Sequence, residues 1–190
     1  GFIIQITYLR SKYTILGTYN FDDMRSFRDE EVNQTLRELI QDEGFLYILR
    51  KIFTEERIQH LSEELNDVNS VHDFQAKYIS FYVNVLIGLS ISDFTYEGLD
   101  KLDKNQSYLF VSNHRDIVLD SALINEILFR NNFSTTEIAI GNNLLIYKWI
   151  ENLVRLNKSF IVRRDLVGKE MLQETVKMSA YLRDTIVNRN

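Results

Sequence analysis

Apolar and polar positions follow two different periods along this chain, and the period changes near residue 92. Up to that point the spacing is helical. Asp29 is placed as an N-cap, with Glu30 and Glu31 in the first turn, where the helix dipole favours acids. Val32, Leu36, Leu39 and Ile40 then fall on one face. Gly44 interrupts, and Phe45, Ile48, Leu49, Ile52 and Phe53 mark a second helix. Thr54, ahead of Glu55 and Glu56, caps a third, with Ile58, Leu61 and Leu65 inward. Ser70 with Asp73 three residues on has the form of a capping box. It opens a long helix with one stripe of Val71, Phe74, Tyr78, Phe81, Val85 and Leu89. Tyr82, Leu86 and Ile87 widen that stripe, so the second half is apolar over most of its surface. Packing between other helices is its expected fate. The alternative is a helix lying on a membrane, but Lys77 is its single base and interfacial helices carry several. Residues 1–28 have no clear period and read as a strand or loop lead-in.

Beyond residue 93 short β-former runs alternate with helical patterns. Strands are expected at 94–96, 108–111, 137–140 and 159–162, and helices at 116–130, 143–155 and 166–188. This alternation predicts an α/β fold, a mixed or parallel sheet with crossover helices, preceded by a helical N-terminal region. The expected division is 1–92 for the helical region and 93–190 for the α/β domain. No internal repeat, low-complexity tract or long flexible linker interrupts it.

Composition narrows the class. A chain of 190 residues can bury a sizeable core, and 45% hydrophobic with 26% charged residues is a globular balance. A net charge of -5 argues against a nucleic-acid partner. The absence of Cys excludes disulfides, thiolate catalysis and Cys-based zinc sites, and suits a reducing compartment such as the cytoplasm. No apolar run approaches the ~20 residues that span a bilayer. Gly1 to Ile6 is too short for a signal-peptide core and has no charged residues before it. The chain opens on Gly1 rather than Met, as a processed or partial chain would.

Candidate chemistry concentrates between Tyr108 and Asp120. An apolar run, Tyr108 to Val111, breaks at the polar knot Ser112-Asn113-His114-Arg115-Asp116. The apolar pattern then resumes with Ile117, Leu119, Ala122 and Leu123. A strand that ends in a turn and feeds a helix is where α/β proteins place chemistry. His114 sits in that turn. A carboxylate about one helical turn later can fix its tautomer and leave the other ring nitrogen as a general base. Asp120 fits that role from the first turns of the helix and Asp116 fits it more locally, although Asp116 is equally placed to be the helix N-cap. His114-Arg115-Asp116 copies the start of a protein-kinase catalytic loop, but Ser121 stands where that loop needs Asn and no glycine-rich phosphate loop exists. A metal site from His114, Asp116 and Asp120 is short of ligands, since His60 and His72 fall in the helical region. No G-x-S-x-G elbow supports a serine nucleophile. No metal and no cofactor are expected.

Asn113-His114-Arg115 with the downstream Asp120 resembles the N-H-x4-D motif of the glycerolipid acyltransferase family, which includes glycerol-3-phosphate and 1-acylglycerol-3-phosphate acyltransferases. A second stretch strengthens the likeness. Gly141-Asn142-Asn143-Leu144-Leu145, an apolar helix, and then Phe160-Ile161-Val162-Arg163-Arg164 resemble the family's second block, G-x-N-L followed by F-I-x-R. The resemblance covers residues 92–188. It departs from the pattern in two places. Residues 115–119 put five positions between His114 and Asp120 rather than four, so that Leu119 stands in the usual Asp place. The family's third block, an acidic-Gly-Arg stretch, does not occur by Asn190, so the domain is expected to be truncated at its C-terminus.

The resemblance implies an acyltransferase of phospholipid synthesis. His114 takes the proton of an acceptor hydroxyl, which attacks the thioester of acyl-CoA or acyl carrier protein. Asp120 is its expected partner and Asp116 the reserve. Arg163 and Arg164 would grip an acceptor phosphate, with Arg163 favoured by its place in the motif, and Arg115 and Asn113 would add to the site. Gly141 and Asn143 would shape its floor. Leu144, Leu145, Ile146, Trp149 and Ile150 would line an acyl groove or, as such runs more often do, pack in the core. The expected partners are the acyl donor, a glycerol-phosphate-like acceptor and a membrane surface, with the protein cytoplasmic or peripheral on the inner face of the membrane. A non-catalytic acyl- or lipid-binding relative, or an inactive fragment, is the alternative. A metal-dependent hydrolase using His114 and the two carboxylates is a third.

Overall fold

The computed structural model describes residues 5–7, 19–113 and 115–188. In chain order the elements are β1 (Gln5–Thr7), α1 (Asp29–Leu39), α2 (Glu43–Ile52), α3 (Glu55–Leu65) and a long helix α4. Helix α4 runs as Val71–Phe74, a π-helical turn Gln75–Ile79, and Ser80–Ser90. Then follow β2 (Leu109–Val111), α5 (Leu119–Arg130), β3 (Ile138–Gly141), α6 (Lys148–Leu156), β4 (Ser159–Val162) and α7 (Gly168–Asn188). The α/β class and the helical N-terminal region are as the periodicity predicts. The chain divides into two compact units, one of Gly1–Asp23, Val83–Thr136 and Leu166–Asn190, the other of Met24–Tyr82 and Glu137–Asp165.

The second unit is built on capped helices. Thr54 Oγ1 accepts the Arg57 N–H at 3.3 Å, and Ser70 Oγ accepts the Asp73 N–H at 3.0 Å, as their spacing predicts. Asp42 does the same for Phe45 at the start of α2. Helix α1 differs by one residue, because its N-cap is Arg28. Glu31 reaches back to the Arg28 N–H at 2.8 Å. The Asp29 carboxylate instead accepts the Val71 N–H at 2.8 Å, so it serves the start of α4.

Val32, Leu36 and Leu39 of α1, Ile58 and Leu61 of α3, and Leu156 of α6 belong to one buried apolar cluster. That core therefore draws on residues from both sides of position 92. Arg155 is tied into it: its Nε donates to Arg25 O at 2.9 Å, its Nη1 to Glu151 at 3.0 Å, and its guanidinium lies over the Phe27 ring. Strands β3 and β4 pair in parallel, from Ile138 opposite Ser159 to Gly141 opposite Val162. Helix α6 is the crossover such a parallel pair requires. It starts later than expected, because Asn142–Leu144 forms a single 3-10 turn and Tyr147 is extended.

In the first unit β1 and β2 pair antiparallel, Gln5 opposite Val111. Helix α5 is anchored by polar groups. The buried Glu126 carboxylate accepts from Asn84 Nδ2 and Arg130 Nε, both at 2.7 Å. Asn125 Oδ1 accepts the N–H and the hydroxyl of Thr136, each at 2.8 Å. In α7, Tyr181 is fully buried, edge-on to Phe21. The strand expected at 94–96 does not form: no described segment pairs with it, and the Tyr96 hydroxyl accepts from Asn131 Nδ2 instead.

The packing expected for the second half of α4 is also not realised. Phe81, Tyr82, Val85 and Leu86 are exposed and Leu89 is 80% exposed, with only Val83 buried in Ser80–Ser90. Among the described residues no helix is long and apolar enough to cross a membrane.

Candidate active site

The polar knot lies between β2 and α5. His114 itself is outside the described residues. Asn113 and Arg115 on either side of it are exposed. The two carboxylates that follow are used in opposite directions along the chain. Asp116 faces forward: its Oδ1 accepts the N–H groups of Val118 and Leu119 at 2.9 and 2.8 Å, which satisfies orphan donors at the start of α5. This delays the helix to Leu119, where continuous periodicity from 116 was expected. Asp120, in the first turn of α5, faces backward: its Oδ2 accepts the N–H groups of Arg115 and Asp116 at 2.6 and 2.9 Å.

Asp120 is only 7% exposed, so two charge-assisted bonds offset part of the cost of burying its charge. They also draw the residue next to His114 onto the helix. Between the two acids, Ile117 and Val118 form a turn and are each 62% exposed. The residue that lengthens the His–Asp interval is thus taken up in a turn, and Asp120 still reaches the loop.

A second constellation forms at the carboxyl ends of β3 and β4, within the second unit. Gly141 is buried, and a Cβ there would lie 2.5 Å from Asn143 Oδ1 and 2.9 Å from Arg164 Nε. Its φ of -73° is ordinary, so a side chain here would press on the Asn143 and Arg164 side chains without straining the backbone. Arg163 forks onto Asp165, Nε to Oδ1 at 3.4 Å and Nη2 to Oδ2 at 3.1 Å. Asn142 ties the two strand ends together. Its Nδ2 donates to Asp165 Oδ1 at 2.7 Å and its Oδ1 accepts the Arg164 N–H at 3.0 Å. The hydrogen bonds from Arg163, and then from Asn142, hold the Asp165 carboxyl below its usual pKa.

The sequence singled out Gly141, Asn143, Arg163 and Arg164, and the structure brings Gly141, Asn143 and Arg164 against one another. It missed Asn142 and Asp165, whose partners lie across the strand pair. The one local signal was an acid two residues after Arg163. The apolar run beyond Asn143 divides: Trp149 packs on the core against Phe45, whereas Leu144 and Ile146 are exposed. Among the described residues no group of three His, Asp or Glu gathers closely enough to hold a metal ion.

Comparison with known proteins bears on this geometry. Neither the curated proteins nor the solved structures give a match. The family described as Acyltransferase matches residues 93–187, half of the chain, and that span contains β2, the polar knot, α5, both strands of the parallel pair and nearly all of α7. Both sequence blocks fall inside it in order, and on that ground the chain belongs to the Acyltransferase family of acyl-transferring enzymes.

Proposed function

We propose that this chain transfers a fatty acyl group from acyl-CoA or acyl carrier protein to a hydroxyl of glycerol phosphate or a related acceptor, in phospholipid synthesis. His114 is the general base. It removes the acceptor proton as the hydroxyl oxygen attacks the thioester carbonyl. The tetrahedral intermediate then collapses, the C–S bond breaks, and the imidazolium returns the proton to the departing thiolate. A base of this kind contributes about 10²–10⁴-fold.

The observation that carries the reading is the buried Asp120 carboxylate reaching back to the Arg115 and Asp116 N–H groups. An acid held this way against the residue that follows the histidine in the chain is suited to orient the imidazole and stabilise its protonated form. Arg163 and Arg164 supply cations at a strand end, where an acceptor phosphate needs them. The exposed apolar half of α4, with Phe81, Val85, Leu86 and Leu89, supports work at a membrane surface, and we place the protein on its inner face.

His114→Ala tests the reading. It is expected to abolish acyl transfer while leaving the thermal midpoint unchanged, and retained transfer by that folded variant would contradict it.

A further inference from the structure

The turn between Asp116 and Asp120 is framed by acids on either side of it. Asp116 Oδ1 holds the N–H groups of Val118 and Leu119, and Asp120 Oδ2 holds those of Arg115 and Asp116. The side chains of Ile117 and Val118 take no part in that frame, and each residue is 62% exposed. Two rules of local chemistry are broken here. Turns favour Gly, Asn, Asp and Ser over β-branched apolar residues. Val118 is also the N-cap of α5, where Ser, Thr, Asp or Asn is favoured and Val ranks among the poorest, and its side chain caps nothing. A polar residue at either position would suit both the turn and the helix start. A local rule broken with no gain in packing is the mark of a functional position. This turn is also where the lengthened His–Asp interval is taken up.

The place of the pair in the chain says what it would touch. Ile117 and Val118 follow His114 by three and four positions, and such lengths of chain span at most about 11 and 14 Å. An alkyl chain whose thioester lies at the base runs through that range. A lipid phase suits the pair poorly, because the same loop exposes Arg115 and the Asp116 carboxylate that holds the turn, and both would have to leave water with it. A single alkyl chain can lie on two adjacent side chains and leave the charges hydrated. We propose that Ile117 and Val118 form an apolar contact for the alkyl chain of the acyl donor and set a preference for long chains over short ones. The inference rests on the reading of His114 as the base of an acyltransferase.

The test measures, by calorimetry on the full chain, the affinities of free CoA and octanoyl-CoA. In parallel it measures kcat/KM for acyl transfer from octanoyl-CoA and acetyl-CoA to glycerol 3-phosphate. Each methylene removed from water is worth about fourfold in affinity. Ile117→Ser and Val118→Ser are each expected to lower the octanoyl-CoA affinity and kcat/KM about tenfold, with free CoA and acetyl-CoA changed less than about twofold. Ile117→Leu should keep the wild-type preference, and the thermal midpoint should not fall in Val118→Ser. Equal losses on long and short donors would overturn the inference, as would octanoyl-CoA binding no tighter than CoA in the wild type. A loss seen only with lipid vesicles present would overturn it in favour of a membrane contact. Absence of transfer by the wild type, or transfer retained by His114→Ala, would bring down the catalytic reading, whereas the binding ratio of octanoyl-CoA to CoA tests the apolar contact independently of turnover.

Discussion

The two units of this chain are stabilised in different ways. The second has a continuous apolar core in which Val32, Leu36, Leu39, Val68 and Leu156 are almost entirely removed from water. In the first unit the described buried apolar side chains are few, chiefly Val83, Leu128, Ala180 and Tyr181. There the buried carboxylates and amides of Asp120, Asn125 and Glu126 hold the loops around α5. Area-driven burial tolerates small displacements, whereas a buried carboxylate must keep its donors or lose heavily. The segment from Arg115 to Asp120 is therefore a hydrogen-bonded loop with defined geometry. The arginine pair follows β4 directly, in the unit that holds the packed core.

The contrast can be broken first in the core. Leu156→Ala is expected to cost about 2–5 kcal/mol in urea denaturation, whereas Ile117→Ala and Val118→Ala in the exposed turn stay within about 0.5 kcal/mol. Comparable costs would mean the second unit's core does not dominate. Asp120→Ala comes next. It strands the Arg115 and Asp116 N–H groups and is expected to cost about 1–3 kcal/mol, with faster amide exchange confined to residues 115–120.

Asp116→Ala frees the Val118 and Leu119 N–H groups at the exposed start of α5 and is expected to cost about 1 kcal/mol. The smallest effect is on acid stability. Burial works to raise the Glu31 carboxyl, but the Arg25 fork, the Arg28 N–H and the charge of Arg155 outweigh it, and its pKa is lowered. A carboxyl lowered on folding stabilises fully above its unfolded value near 4.3 and loses that contribution as pH falls through the folded one. The thermal midpoint should therefore fall below about pH 4.3, and Glu31→Gln should flatten that slope. An unchanged slope would remove Glu31 from the acid response.

What the sequence made legible was local. Thr54 and Ser70 announce helix starts because a cap needs only the N–H three residues on, and the 3.6-residue stripe of α1 through α3 needs only periodicity. The strand pair around 138–141 and 159–162 was readable as short β-branched runs. What was not readable depends on distant partners. Asp29 looks like a local cap but serves Val71. Gln75, buried in the π-helical turn, donates to Asn157, a bond no local pattern reveals. Asn142 and Asp165 meet only because β3 and β4 pair in register. The doubled acid after His114 offers Asp120 as partner and Asp116 as reserve, and the geometry shows Asp116 Oδ1 turned toward the start of the helix and Asp120 Oδ2 toward the loop.

The most direct test of that asymmetry is a comparison of kcat/KM for acyl transfer in Asp120→Asn and Asp116→Asn, each shown to fold. Asp120→Asn should lower it by about 10²-fold or more, and Asp116→Asn by only a few-fold. The reverse order, or equal small losses, would contradict the account.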